Sequence, residues 1–328
     1  MKFRIRLSLL LCFIVSSSQA QYYFSANGNY DRALSFEAGI SIGPMNSLTD
    51  LGGRAGIGTK GPKDLNFKST TLFGSIYGMV VYKYFLALRA EATAGTVKSN
   101  DSLLKGISVN NKAIGRYTRN LSFRSAIYEF SIIAEFHPLD LISNINTDRE
   151  PPLFSPYLLA GVGIFNFNPQ ANLNGAWIDL HPLHTEGEGF AEYPNSKPYN
   201  LTQLNIPLGA GVAYQVSDKF NLRLEYIHRH LFTDYLDDVH GTYIDPAVFS
   251  RYLSGNDLIN ALILNNRVKP GTPANTTTAR PGGKRGNPTN NDAYFTINFK
   301  VGYTFGQERG FTKRSKNTKR QTECPRFF

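Results

Sequence analysis

From Phe295 to Phe305 the chain alternates without a break. Phe295, Ile297, Phe299, Val301, Tyr303 and Phe305 take one side, and Thr296, Asn298, Lys300, Gly302 and Thr304 take the other. A period of two is the signature of a β-strand with one apolar and one polar face. The pattern recurs about eight times, near Leu34–Ile42, Leu72–Tyr82, Phe85–Val97, Leu121–Phe136, Tyr157–Phe167, Leu204–Val216, Phe220–Phe232 and Tyr294–Phe305. Each run is long enough to cross a bilayer as a tilted strand, which takes about 9–11 residues. One face can then meet lipid and the other a polar lumen.

The start of the chain supports export. Lys2, Arg4 and Arg6 precede the apolar run Leu7 to Val15, and Ser18-Gln19-Ala20 forms a small-x-small cleavage site before Gln21. This is the layout of a secretory signal peptide. Leu11 before Cys12 argues against a lipid anchor at that cysteine. No later stretch is apolar for long enough to span a membrane as a helix. A membrane sheet must close on itself, because unpaired backbone groups are not tolerated in hydrocarbon. The 18 Tyr and 23 Phe suit the aromatic girdles of such a barrel. The competing reading is a soluble β-sandwich, which also alternates. The sequence therefore predicts an eight-stranded antiparallel transmembrane β-barrel in the outer membrane. Residues 1–20 are the signal, 21–306 the barrel and 307–328 a basic periplasmic tail.

Connection lengths orient it. Lys83-Tyr84 and Ser217-Asp218-Lys219 make tight turns, whereas Gly43 to Thr71, Lys98 to Asn120, Asn168 to Gln203 and Thr233 to Ala293 are long. Short periplasmic turns and long outside loops alternate this way in outer-membrane barrels, which puts both chain ends in the periplasm. His137 to Phe154 is a longer periplasmic link. Asn168 to Gln203 could extend strands or add a hairpin above the membrane, giving ten. In the longest loop, Asp245-Pro246 reads as a cap and first turn, followed by a helix broken at Gly255. Thr272 to Asn291, rich in Gly, Pro, Asn and Thr, reads as mobile coil.

Several groups carry candidate chemistry. Glu37, Arg89, Glu91, Glu129, Glu135, Arg223 and Glu225 fall on inward positions. A small barrel is filled by its own side chains, so these charges predict a paired network plugging the lumen. A proton or ion path is the functional alternative. Asp234, Asp237 and Asp238 are weak candidates for Ca²⁺, but their spacing matches no EF-hand, and a solvated loop with local turn hydrogen bonds is the simpler reading. His228 and His230 with Asp234 and Asp237 could activate water, yet no Ser or Cys nucleophile motif accompanies them. The sequence thus predicts no enzyme and no cofactor. The stretch after Phe305 carries Arg309, Lys313, Arg314, Lys316, Lys319, Arg320 and Arg326 against Glu308 and Glu323. In an exported protein this tail predicts an acidic protein partner or anionic membrane lipid, not nucleic acid. Cys324 alone remains after signal removal, so no internal disulfide can form.

Three segments carry a family resemblance. They are Arg119-Asn120-Leu121-Ser122-Phe123-Arg124-Ser125 running into Tyr128-Glu129-Phe130 and Glu135-Phe136, then Thr233 to Val239 with Gly241-Thr242-Tyr243, and Lys284-Arg285-Gly286-Asn287-Pro288 with Asn291-Asp292 and Tyr294-Phe295-Thr296. Together they resemble the PorG-like (DUF6089-like) outer-membrane β-barrels of Bacteroidetes, over about Leu34 to Phe305. The resemblance implies a non-catalytic scaffold of the type IX secretion and gliding machinery. It further implies contact with a periplasmic ring built from a lipoprotein and its partner. The tail residues, with Cys324, are the expected handle for that ring. A small passive channel and a surface-binding barrel are the alternatives.

Overall fold

The computed structural model describes residues 34–52, 66–105, 114–145, 152–217, 219–268 and 279–305. The expected signal peptide and basic tail lie outside the described residues. The strands are β1 (Leu34–Leu48), β2 (Thr71–Tyr82), β3 (Leu86–Asn100), β4 (Ser122–Phe136), β5 (Phe154–Leu173), β6 (Ala176–Asp179), β7 (Thr202–Gln215), β8 (Phe220–Leu231) and β9 (Ala293–Phe305). All but β6 form a ring in the order β4-β3-β2-β1-β9-β8-β7-β5, with β5 returning to β4. The first and last strands meet antiparallel from Phe36↔Phe305 to Leu48↔Ala293. Every wall strand therefore has two neighbours, and no edge is left for hydrocarbon.

The wall has eight strands. β5 runs 20 residues and folds over into β6, which pairs only with Gln170 to Leu173 at the long-loop end. That hairpin stands clear of the ring and resolves the choice between eight and ten. β1 likewise runs to Leu48, beyond the expected stop near Ile42, because β9 starts at Ala293 and pairs with it there.

Alternation sorts the side chains as the sequence requires. Ile40, Ile76 and Val162 are each 64% exposed, with Phe299, Leu158 and Leu204 beside them in an outward apolar band. Such a band is costly in water and favourable in lipid. The parity of β2, ambiguous in the sequence, is now clear: Phe73, Ser75, Tyr77 and Met79 point inward. Exposed Tyr82, Phe136, Phe154, Tyr214, Phe220 and Phe305 all sit at strand ends on the short-turn side, where a girdle belongs. The β2–β3 turn is the three residues Lys83, Tyr84 and Phe85 between the paired Tyr82 and Leu86, with Lys83 at φ 45° and Tyr84 at φ 66°. In the β7–β8 turn, Ser217 Oγ accepts from Phe220 N at 3.1 Å.

Short helices occupy the connections: α1 (Ile114–Arg119), α2 (Pro138–Ile145), α3 (Phe249–Tyr252) and α4 (Gly255–Asn265). The expected break between the last two falls at Gly255, whose φ of +58° suits glycine. No helix among the described residues is long and apolar enough to cross a membrane.

The seam yields a test. A Cβ on Gly39 would lie 2.2 Å from the Val301 carbonyl oxygen and 2.7 Å from the Tyr77 ring, whereas one on Gly78 meets nothing within 4 Å. Gly39→Val is expected to abolish the heat-modifiable folded band on gels, and Gly78→Ala to retain it.

Candidate functional site: a charged lumen and the loop cap above it

The inward positions bring charge together from strands distant in sequence. Arg89 on β3 is fully buried and holds Glu225 on β8 at 2.6 Å, Glu135 on β4 at 2.5 Å and Glu91 two residues along at 3.0 Å. Lys300 on β9 bridges Glu91 at 2.6 Å and Glu225 at 3.4 Å. One step toward the short-turn end, Arg223 joins Glu37 at 3.1 Å to Glu135 at 2.8 Å. Toward the long-loop end, Arg229 binds Glu129 at 2.6 Å and Thr296 at 2.9 Å. Five inward carboxylates thus face four cations.

Neutral donors complete the shell. Tyr77 donates to Glu37 at 2.8 Å, Tyr157 to Glu225 at 2.5 Å and Tyr294 to Glu129. Ser75 donates to Glu91, and Asn298 to Glu225. A buried charge is tolerable only when partners satisfy its lone pairs or protons.

Both ends of the lumen are crowded among the described residues. At the short-turn end a cavity of about 70 Å³ lies among Glu37, His137, Arg223 and neighbours. There His137 Nδ1 lies 3.0 Å from Ser155 Oγ, and Ser155 in turn donates to Asp140, tying α2 to β5. At the other end Met45, Phe73, Phe123, Ile127, Phe165 and Phe167 pack into an apolar layer with Leu51, Leu121, Leu236 and Val239 from the connections. Tyr199 stacks between Phe167, at 6.1 Å, and Tyr235, at 4.4 Å.

Above that layer the long connections lock together. Asp101 accepts from Gly52 N at 2.9 Å, Leu121 N at 3.1 Å and the Arg119 guanidinium at 2.8 Å. Arg119 also donates to the carbonyls of Arg285 at 2.6 Å and Asp50 at 2.8 Å. Arg285 reaches Glu186 at 2.8 Å, and Glu186 caps the His240 and Gly241 amides. Asp237 accepts from Leu51 N at 3.2 Å, and Asp292 from Leu236 N at 2.9 Å. A second apolar cluster, including Leu183, Phe190, Phe249 and Leu264, packs the loop tops.

The structure places all seven expected lumen residues inside the barrel and pairs them. Arg229 and Lys300 belong to the same network but are missing from the sequence-based set, although each has the inward parity of its strand. The acidic stretch departs from expectation. Asp234, Asp237 and Asp238 are 4%, 1% and 1% exposed, not solvated. Their partners are amides, hydroxyls and His240 contributed by the interlocked connections. Among the described residues no group of three or more His, Cys, Asp or Glu is arranged to hold a metal ion. His228 and His230 take outward positions on β8, and Asp234 pairs with His240 Nδ1 at 2.8 Å instead. The expected mobile coil is corrected for residues 279–291. Arg285 is buried there, and Thr242 bridges Lys284.

Burial pushes the Asp234 carboxyl up to about 7, against the pull of its His240 hydrogen bond. Burial, reinforced by the mutual charge of Asp50, Asp234 and Asp237, raises Asp237 and Asp292 well above the usual carboxylate range. His240 is raised in its turn, chiefly by the hydrogen bond to Asp234.

A closed antiparallel barrel with an apolar outside, aromatic strand ends and a charge-packed inside is an outer-membrane β-barrel. No protein-family model matches the sequence, and no curated relative matches it. Among solved structures the chain is similar to Neisserial surface protein A (11% identity, TM-score 0.34, covering 83% of this chain and 97% of that one). It is also similar to Ail of Yersinia pestis (11%, 0.34, 82% and 99%) and OprG of Pseudomonas aeruginosa (10%, 0.31, 83% and 95%). These likenesses concern the fold alone.

Two outcomes are expected. Arg89→Met removes the cation shared by three buried carboxylates, leaving them only Lys300 and Arg223, and should destabilise the barrel by about 3–5 kcal/mol, read from chemical denaturation in micelles. For Asp234, Asp237, Asp292 and His240 the folded pKa lies above the unfolded one, so the folded cap binds more protons and loses stability as pH rises. For Asp234 the loss falls between about pH 4 and 7. Trp177, the only tryptophan, lies 4.0 Å over the Arg124 guanidinium and can report it. The urea midpoint of its emission should fall across that range, and Asp234→Asn should flatten the slope. A midpoint that rises with pH contradicts the assignment.

Proposed function

We propose that the protein is a non-catalytic outer-membrane scaffold of the type IX secretion and gliding machinery. In this reading the long loops face outside and the short turns face the periplasm. The observation that carries the proposal is the filled interior. Arg89, Lys300, Arg223 and Arg229 with their carboxylates occupy the lumen, and the apolar layer and loop cap close its outer end. A barrel without a conduit is suited to anchoring.

The resemblance adds a second support. Its three segments lie far apart in sequence yet meet in the cap, where Arg119 donates to the Arg285 carbonyl and the Arg285 side chain reaches the Asp238 carbonyl at 2.7 Å. Part of the pattern shared with the PorG-like family, Arg119, Asp238 and Arg285 among it, therefore locks the cap. The partner is the periplasmic ring of lipoprotein and companion protein, and the handle is the basic tail with Arg309, Lys313, Arg314, Lys316, Lys319, Arg320 and Cys324. Its cations suit an acidic protein surface or anionic lipid.

Deleting residues 306–328 is expected to weaken co-purification of the periplasmic ring while the barrel stays heat-modifiable on gels. Undiminished co-purification overturns the tail assignment. Periplasmic crosslinking in native cells that captures no ring component overturns the scaffold role itself.

A further inference from the structure

The eight wall strands carry five Glu and six Lys or Arg. All five carboxylates are buried inside the barrel, and so are Arg89, Arg223, Arg229 and Lys300. The two cations that remain are Lys98 on β3 and Arg124 on β4. Both take outward parity, since their neighbours Val97, Ser99, Phe123 and Ser125 are buried. They are also ladder partners between β3 and β4. Their Cα atoms therefore stand about 4.5–5.5 Å apart and their side chains share one face. The outer wall thus bears two charges, both positive, set directly opposite each other.

Like charges in that position repel and destabilise a sheet. Neither finds relief within the protein: among the described residues no carboxylate pairs with Lys98 or Arg124. Lys98 is exposed. Arg124 gives its Nε to Gln170 Oε1 at 2.9 Å and lies 4.0 Å from the centre of the Trp177 ring. Those contacts fix the guanidinium plane and leave its two Nη groups uncommitted. Asp179, the outward carboxylate on this side, is held instead by the amides of Asn168 at 3.0 Å and Gln170 at 2.6 Å. An anion between Lys98 and Arg124 would turn the repulsion into two attractions.

Depth in the membrane decides which anion. Along β4 the outward side runs from Phe136 through Ile132, Phe130 and Tyr128 to Arg124. That run measures about 40 Å along the strand, or about 30 Å across the membrane at the usual tilt. The hydrocarbon core is about 30 Å thick. With Phe136 in the short-turn girdle, Lys98 and Arg124 stand at the headgroups on the long-loop side. Trp177 lies beside them, at the level where tryptophan anchors. The anion at that depth is a lipid phosphate. Beside the pair, the side chains of Asn168, Gln170 and Asp179 form an outward polar row whose oxygens can accept from sugar hydroxyls. A phosphate carried on a sugar serves both features.

We propose that Lys98 and Arg124 clamp the phosphate of a phosphorylated glycolipid in the outer leaflet. The inference takes from the proposed function only its orientation, with the long loops outside. It needs no periplasmic ring, so the ring experiments and the lipid experiment can fail separately.

The test uses the full chain in tetraethylene glycol monooctyl ether micelles, with lipid adducts read by native mass spectrometry. The probes are bis-phosphorylated lipid A, the same lipid A after phosphatase treatment, phosphatidylglycerol and inorganic phosphate. Phosphorylated lipid A is expected to bind saturably, and about tenfold or more tighter than each of the other three. Lys98→Gln and Arg124→Gln should each weaken that binding by about tenfold. Lys197→Gln, which removes an exposed loop charge, should leave it unchanged. Lys98 is exposed, so Lys98→Gln is expected to keep the folded gel mobility whatever Arg124→Gln does to the Trp177 stack. Equal binding of the dephosphorylated lipid overturns the phosphate clamp. Phosphatidylglycerol bound as tightly as lipid A makes this a phospholipid site and overturns the glycolipid assignment, and inorganic phosphate bound as tightly makes it a free-anion site and does the same. Binding that Lys98→Gln leaves intact, or no saturable binding of phosphorylated lipid A, overturns the proposal outright.

Discussion

Four cations and five carboxylates share an interior barely wider than their own side chains, and the wall can close only because each of them finds partners. Arg89 is the centre of this arrangement. Its guanidinium touches carboxylates from β3, β4 and β8, so the neighbouring pair β3–β4 is tied across the lumen to β8, with which it shares no backbone ladder. In a low-dielectric interior the same contacts that satisfy the charges would be ruinous if any partner were lost. The network therefore specifies register as well as stability. A one-residue slip of any strand would turn its inward charges toward lipid.

The cap extends this logic into the connections. Long loops on a barrel are ordinarily mobile, yet here buried carboxylates bind backbone amides of neighbouring loops, as Asp237 does for Leu51 and Asp101 for Gly52. Burial and mutual repulsion raise several of these carboxyl groups, so their hydrogen bonds are held at an electrostatic cost. The outcome is a structured surface set on a closed barrel, which suits a role in presenting fixed contacts.

The wall was legible in the sequence because its code is local. Inside and outside differ by one residue of parity, and Arg89-Ala90-Glu91 or Arg223-Leu224-Glu225 states the answer within three positions. Arg229 and Lys300 could have been read by extending that parity to the strand ends. β2 resisted because aliphatic residues occupy both of its faces. The cap was not legible. Asp234, Asp237 and Asp238 look like solvated turn formers, and what buries them comes from elsewhere: Leu51 lies 186 residues from Asp237. No periodicity records such a contact. The hairpin of β5 and β6 falls where Asn168 to Gln203 offered an extension or an added hairpin, but its bounds were not marked, since so short a pairing follows from the overrun of β5 and not from its own pattern.

The central claim is that the lumen is solid. Its most direct test is the conductance of the purified protein in planar bilayers over many verified insertions. A sealed bilayer with no unitary current at any holding potential is the predicted result. Steady ohmic conductance that changes when Arg89 or Glu129 is replaced would contradict the plug and the scaffold reading built on it.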